Sequence, residues 1–276
     1  MECVHHTFNP WWGCTRVSPG CDHCYAEGID ARAGGGHWGK GAPRRTFGEK
    51  YWAGPLAWER EAVRRGERQR VLCASMADVF DAEAPEGELP KLWALIQRTP
   101  HLDWLLLTKR PARIARSLPS DWGEGYPNAW LGVSVEDADT AAQRLPVLLS
   151  VPARLRFACC EPILGPLPLR PWLSGLDWVI AGGESGPHAR PLHPDWVRDL
   201  RVQCVEADCP FFFKQWGEYL PGDPRSAAPG RRTGLSARHP GFYRVGKVRA
   251  GSVLDSVTWE QLPRAAQASA AAEAHA

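Results

Sequence analysis

A single α/β domain on a parallel sheet, curled into a partial (β/α) barrel of six to seven strands, is the fold that the sequence predicts. Three observations carry this reading. Short apolar runs of strand length alternate with segments of helical period over most of the chain, the pattern of βα units and a parallel sheet. Six such runs are present and a further strand is expected before a cysteine-rich loop, too few for a complete eight-stranded barrel. The glycine fingerprint of a dinucleotide-binding first turn is missing, which ranks a doubly wound sheet second.

Residues 1–12 lead into a loop carrying Cys14, Cys21 and Cys24, and a helix is expected from Tyr25 to about Ala33. Gly34 to Arg45 is a glycine-rich basic loop without the GxxxxGK[ST] order of a phosphate loop. Leu56 to Arg65 reads as a helix and Val71–Ala74 as a strand. Leu89, Leu92, Trp93 and Ile96 recur at helical spacing. Trp104–Leu107 is the next strand, and Pro111 to Leu118 fits a short helix with proline in its first turn. Trp130–Val133 is a strand, after which Asp137 can cap a helix running to about Leu149. Leu155–Ala158 and Trp178–Ala181 are strands. Trp196, Val197, Leu200 and Cys204 share one helical face, and Phe211–Phe213 is the last strand. The expected organisation is a barrel over 1–216, an extension over 217–263 with a hairpin around Gly246-Lys247, and a loose alanine-rich tail over 264–276.

A chain of 276 residues can bury a sizeable core. Its net charge of +2 argues against a protein held to nucleic acid by bulk charge, while leaving room for a local basic patch. Nine cysteines in varied contexts, with no signal-peptide pattern, point to free thiols and a cytoplasmic location. No apolar run approaches the ~20 residues of a membrane span.

Cys14, Cys21 and Cys24 are spaced Cys-x6-Cys-x2-Cys. Pro19 and Gly20 let the segment turn back, and Cys21 and Cys24, three apart, bring their sulfurs to one side of a turn. Thiolates directed into one loop suit a metal centre. Structural zinc needs four ligands, with Cys3, His5, His6 or His23 available as the fourth. A cubane iron–sulfur cluster held by three cysteines leaves one iron open. The plain alternative is three buried structural thiols.

Phe8-Asn9-Pro10-Trp11-Trp12-Gly13-Cys14 and Val17-Ser18-Pro19-Gly20-Cys21-Asp22-His23-Cys24-Tyr25-Ala26-Glu27 together resemble a bacterial, phage-associated three-cysteine family described as radical-SAM-like. Cys160-Glu161-Pro162, Gly182-Gly183-Glu184-Ser185-Gly186 and Phe212-Phe213-Lys214-Gln215-Trp216-Gly217 add to the resemblance, which reaches to about Pro263. It implies a [4Fe–4S] cluster on the three cysteines with S-adenosylmethionine (SAM) at its open iron. Radical-SAM enzymes more commonly space these cysteines x3 and x2, with an aromatic residue before the third, where this chain has His23.

Polar residues follow every strand, and in parallel α/β folds those strand ends form the rim where sites are built. Candidate cofactor contacts there are His23, Ser75, Asp78, Glu136, Glu161, Gly183 and Glu184. The carboxylates suit an amino group or ribose hydroxyls, and glycine permits close backbone approach. Lys109 and Lys214, with Lys40, Arg44 and Arg45 of the glycine-rich loop, are candidate contacts to an anionic, nucleotide-like substrate. Otherwise Lys109 and Lys214 pair with Glu136 and Glu161 and hold the barrel mouth together. The leading reading is an iron–sulfur enzyme cleaving SAM reductively, served by an electron donor and a dedicated partner protein. The alternatives are a zinc-stabilised nucleic-acid- or partner-binding module, with Gly34–Arg45 and Arg225–Arg238 as its basic contacts, and a cluster site that works without SAM.

Overall fold

The strand runs read above become a seven-stranded sheet in a computed structural model, which describes residues 3–222 and 239–264. The strands are β1 (His6–Thr7), β2 (Gln69–Cys73), β3 (Leu102–Thr108), β4 (Ala129–Ser134), β5 (Arg156–Cys160), β6 (Trp178–Gly182) and β7 (Phe211–Gln215). They lie in sequence order, every neighbouring pair parallel. The helices between them are α1 (Tyr25–Arg32), α2 (Glu49–Trp52), α3 (Gly54–Arg65), α4 (Glu88–Gln97), α5 (Ile114–Ser117), α6 (Ala138–Leu149) and α7 (Pro194–Glu206). Asp137 caps α6 as expected. Its carboxylate accepts from Thr140 N at 2.9 Å, while Thr140 Oγ1 accepts from Asp137 N at 3.0 Å, which satisfies two end groups reciprocally.

Alternation along the strands splits the core in two. One face packs on the helices through residues such as Leu106, Leu131, Val179, Phe211 and Phe213. The other gathers Leu105, Trp130, Phe157, Trp178, Ile180 and Phe212. On this second face the Trp130 and Trp178 ring centroids are 6.3 Å apart, although β5 lies between their strands. Strands two apart in a flat sheet are separated by roughly 9–10 Å, so these side chains converge as on a concave surface. Cys3, ahead of β1, packs in the same cluster as Phe212 of β7. The sheet therefore curls towards closure, yet β1 pairs only with β2 and β7 takes no partner from β1. The result is a half-barrel. Gly132 belongs to that concavity, since a Cβ there would stand 2.2 Å from the Phe157 ring.

The extension departs from expectation. Phe242–Arg244 (β9) pairs antiparallel with Tyr219–Pro221 (β8), and Lys247 opens a short helix, α8 (Lys247–Ala250), so there is no hairpin at Gly246-Lys247. The hairpin comes later, between β10 (Val253–Leu254) and β11 (Val257–Thr258). Asp255 and Ser256, at φ 51° and 65°, supply its two left-handed turn residues. The chain then returns along β7, with Phe213 N donating to Trp259 O at 2.8 Å and Gln261 N to Phe211 O at 3.2 Å. That covers the edge of the last strand. The basic segment Arg225–Arg238 and the tail from Ala265 lie outside the described residues. Among the described residues no helix is long and apolar enough to cross a membrane.

Candidate functional site

The loop bearing Cys14, Cys21 and Cys24 leaves β1 and crosses the carboxyl ends of the strands. Gly13 N donates to Met76 O at 3.0 Å, just beyond β2, and Gly39 N donates to Cys14 O at 2.9 Å. Gly13, at φ +117°, has His37 O 2.3 Å from where a Cβ would sit, so only glycine fits. Pro19–Cys21 forms a 3-10 turn, as Pro19-Gly20 implied, and α1 opens directly after Cys24. The three cysteines are free thiols. Burial pushes Cys14 up to about 11, against the pull of Arg110, and burial raises Cys24 as well. Arg110 Nη1 donates to Cys14 Sγ at 3.5 Å. In donor type and position the set suits a thiolate-held centre. Among the described residues no three His, Cys, Asp or Glu side chains are already gathered as a metal site.

Charged clusters of the rim hold this loop in place. Glu136, 0% exposed, receives Lys109 Nζ at 2.8 Å, Arg144 Nη1 at 3.1 Å and the loop's Ser18 Oγ at 3.0 Å. Gly20 lies against it, with no room for a Cβ, which would fall 2.6 Å from the Glu136 carboxylate. Asp78 accepts from Phe80 N, Thr108 Oγ1, Lys109 N and Arg110 Nη1, all within 2.9 Å. Arg110 Nη2 then reaches Thr15 O at 2.6 Å. Glu184 takes Arg190 in a fork, Nε at 2.9 Å and Nη2 at 2.6 Å, and pairs with His23 Nδ1 at 3.2 Å. Arg190 Nη2 also donates to Pro19 O at 2.9 Å. Glu161 accepts from Lys214 Nζ at 2.9 Å and Gln215 Nε2 at 2.8 Å. Ser75 sits beside these groups, its Oγ 3.4 Å from Asn9 and its carbonyl accepting from Tyr25 OH at 3.1 Å.

A family model described as a protein of unknown function, DUF5131, matches residues 1–263. The chain belongs to the DUF5131 family. No curated protein matches. Among solved structures the chain is similar to spore photoproduct lyase. A cysteine-to-serine variant of that enzyme matches at 12% identity and TM-score 0.45, over 86% of this chain and 67% of the other. The lyase complexed with dinucleoside spore photoproduct matches at 13% identity and TM-score 0.45, over 85% and 66%. A double variant with bound AdoMet and the same dinucleoside matches at 12% identity and TM-score 0.44. The DUF5131 chain thus spans about two thirds of the lyase chains, and at these scores the likeness carries no argument about chemistry.

In the DUF5131 chain several rim residues have work other than the one their sequence position suggests. Asp78 has all four acceptor positions filled by protein donors, leaving none for a cofactor amino group. Gly183 lies under the Trp216-Gly217 backbone, where a Cβ would meet Trp216 O at 2.1 Å, so a chain crossing demands it and no ligand can take that space. Arg44 is 1% exposed and bonds to Asp81, Glu83, Thr15 Oγ1 and the carbonyls of His37, Gly39 and Ala42. It organises the glycine-rich loop from within and does not face a substrate. Lys109 and Lys214 are paired with Glu136 and Glu161. Lys40 and Arg45 remain exposed, the Arg45 guanidinium lying 5.0 Å from the Trp12 ring centroid. Arg110, Arg144 and Arg190, which organise the site, had no assigned role in the sequence reading.

Burial works against the charge on Glu184, but Arg190 and His23 outweigh it and hold the carboxyl below its ordinary value. A depressed folded-state pKa gives stability that is complete above the unfolded pKa, about 4.3, and is lost as pH falls through the lower folded value. Glu184→Gln should therefore flatten the acid limb of a stability–pH curve below about pH 4. Urea midpoints measured from pH 3 to 7 check this, and an unchanged acid limb would contradict it.

Proposed function

We propose that this protein is an iron–sulfur enzyme, holding a [4Fe–4S] cluster on Cys14, Cys21 and Cys24 and binding SAM beside it to act on an anionic, nucleotide-like substrate. The observation that carries this is the placement of three free thiols on one loop, clamped over the carboxyl ends of seven parallel strands. Sites in such folds form at those ends. Three cysteines leave one iron without a protein ligand. The bound cofactors supply one-electron reductive cleavage of a sulfonium and hydrogen-atom abstraction, and the protein binds, orients and excludes water.

Of the four rim carboxylates Glu161 is the accessible one. Its side chain is 20% exposed, against 0% for Glu136, 6% for Asp78 and 5% for Glu184. Burial raises its pKa, but Lys214 and Gln215 outweigh that and keep it ionised. Each oxygen has one protein donor and lone-pair capacity for a second. Glu161 is thus the residue to receive the SAM ammonium, with Ser75 and the loop's own His23 as further cofactor contacts and the exposed Lys40 and Arg45 as contacts to the substrate.

The zinc reading needs a fourth ligand from outside the three cysteines. Cys3 is buried in the inner cluster, and His5 Nδ1 and His6 Nε2 are bonded to Arg70 N at 2.8 Å and to Gln69 at 2.6 Å. His23, which uses only Nδ1 for Glu184, is the candidate that keeps zinc as the second reading. All nine cysteines are free, which suits a reducing compartment. An electron donor is required, and a partner protein is its natural source.

Metal and sulfide analysis with an absorption spectrum separates iron from zinc. Calorimetry of reconstituted protein with SAM then tests the Glu161 assignment. Loss of a charge-assisted hydrogen bond in Glu161→Gln should weaken SAM by about 1.5–3 kcal/mol, roughly tenfold or more. Wild-type affinity in that variant would leave Glu161 as a lock for Lys214 alone.

A further inference from the structure

Arg110, two residues beyond the end of β3, is the one described side chain whose charged donor meets a sulfur of the cysteine loop. Its guanidinium is fixed on three sides. Nη1 donates to Asp78 Oδ2 at 2.8 Å and to Cys14 Sγ at 3.5 Å, and Nη2 donates to Thr15 O at 2.6 Å. Asp78 is itself fixed by Phe80 N, Thr108 Oγ1 and Lys109 N, so the fork has a rigid base. The side chain is 11% exposed, where a hydrogen bond is stronger than in water. The other two sulfurs are treated differently. Cys21 Sγ has the neutral Ser18 hydroxyl at 3.9 Å, and Cys24 has backbone N–H groups of Ala26 and Glu27.

We propose that Arg110 is a positioning residue that orients the Cys14 sulfur and, through its charged hydrogen bond, raises the reduction potential of the cluster held there. The inference rests on the cluster reading above. Reduction adds negative charge that the thiolate sulfurs share, so a cationic donor on one sulfur favours the reduced state, and hydrogen bonds to sulfur are among the groups that set such potentials. Because Arg110 also grips Thr15 O, one residue from Cys14, it holds the loop at two adjacent residues. Two neighbouring tethers therefore give it a function that a single surface ion pair would not have.

The test is a redox titration of reconstituted protein, followed by electron paramagnetic resonance, on wild type, Arg110→Gln and Arg110→Lys, with iron content measured on each. At the wild-type midpoint the ratio of reduced to oxidised cluster should fall about tenfold in Arg110→Gln, which is a 59 mV lower midpoint for a one-electron couple. Arg110→Lys, which keeps the charge, should shift less. Loaded variants with the wild-type midpoint would overturn the proposal. So would failure of both variants to retain iron after reconstitution, because Arg110 would then be a clasp for the loop and nothing more. Wild-type protein that takes up no iron would instead sink the cluster reading, so the two claims fail on different measurements.

Discussion

Replacing Cys21 or Cys24 by serine should reduce bound iron from a value approaching four per chain to near zero. Each lost thiolate leaves two protein ligands for a cluster that already has one open iron. Cys204→Ser and Cys73→Ser should retain the iron, because Cys204 is buried in α7 and Cys73 in β2, both packed in the helix-side core. Those two changes cost folding stability instead. Iron and sulfide determined on anaerobically purified protein read the contrast. Iron lost equally from all four variants would mean that the cysteine loop is not its specific holder.

Glu136→Ala should be the most destabilising single change at the rim. It would leave Lys109 and Arg144 without their shared carboxylate at a fully buried position and release Ser18 from the cysteine loop. Removing one partner of a buried ion pair typically costs about 3–5 kcal/mol. Urea unfolding should show a loss of that order, while hydrogen exchange should show the amides of Cys21 and Asp22, which bond to Ser18 O and Pro19 O, losing protection. Glu136→Gln keeps the shape and some of the hydrogen bonding, so it should cost less. A loss below about 1 kcal/mol for the alanine variant would place Glu136 among weak surface pairs.

The fold was legible because apolar runs and turn residues are local signals. Each strand and each helix expected over Tyr25–Phe213 formed within a few residues of its expected bounds. The rim was legible as a place, since every strand end is polar for the same topological reason. The roles within it were less so. A carboxylate after a strand reads alike whether it faces a ligand, as Glu161 can, or an arginine from the neighbouring strand end, as Asp78 does. The partners are tertiary, with Glu184 and Arg190 meeting Pro19 and His23 about 170 residues earlier in the chain. Arg144 did leave a trace. It occupies the buried stripe of α6 with Thr140, Ala141, Leu145 and Leu148, where an arginine needs a buried anion. Arg44 left none, because a basic residue in a glycine-rich loop looks exposed until that loop is seen wrapped around it. The displaced hairpin has a similar cause. Gly246-Lys247 resembles a turn, but Phe242–Arg244 finds its backbone partner in Tyr219–Pro221, beyond the reach of a local pattern.

The thiol loop at the barrel mouth is proposed to support reductive cleavage of SAM. Anaerobic incubation of reconstituted protein with SAM and dithionite, with 5′-deoxyadenosine measured by chromatography, tests it most directly. Time-dependent 5′-deoxyadenosine, lost in Cys21→Ser and Cys24→Ser, is the predicted result. Fully loaded wild-type protein that leaves SAM intact would contradict it.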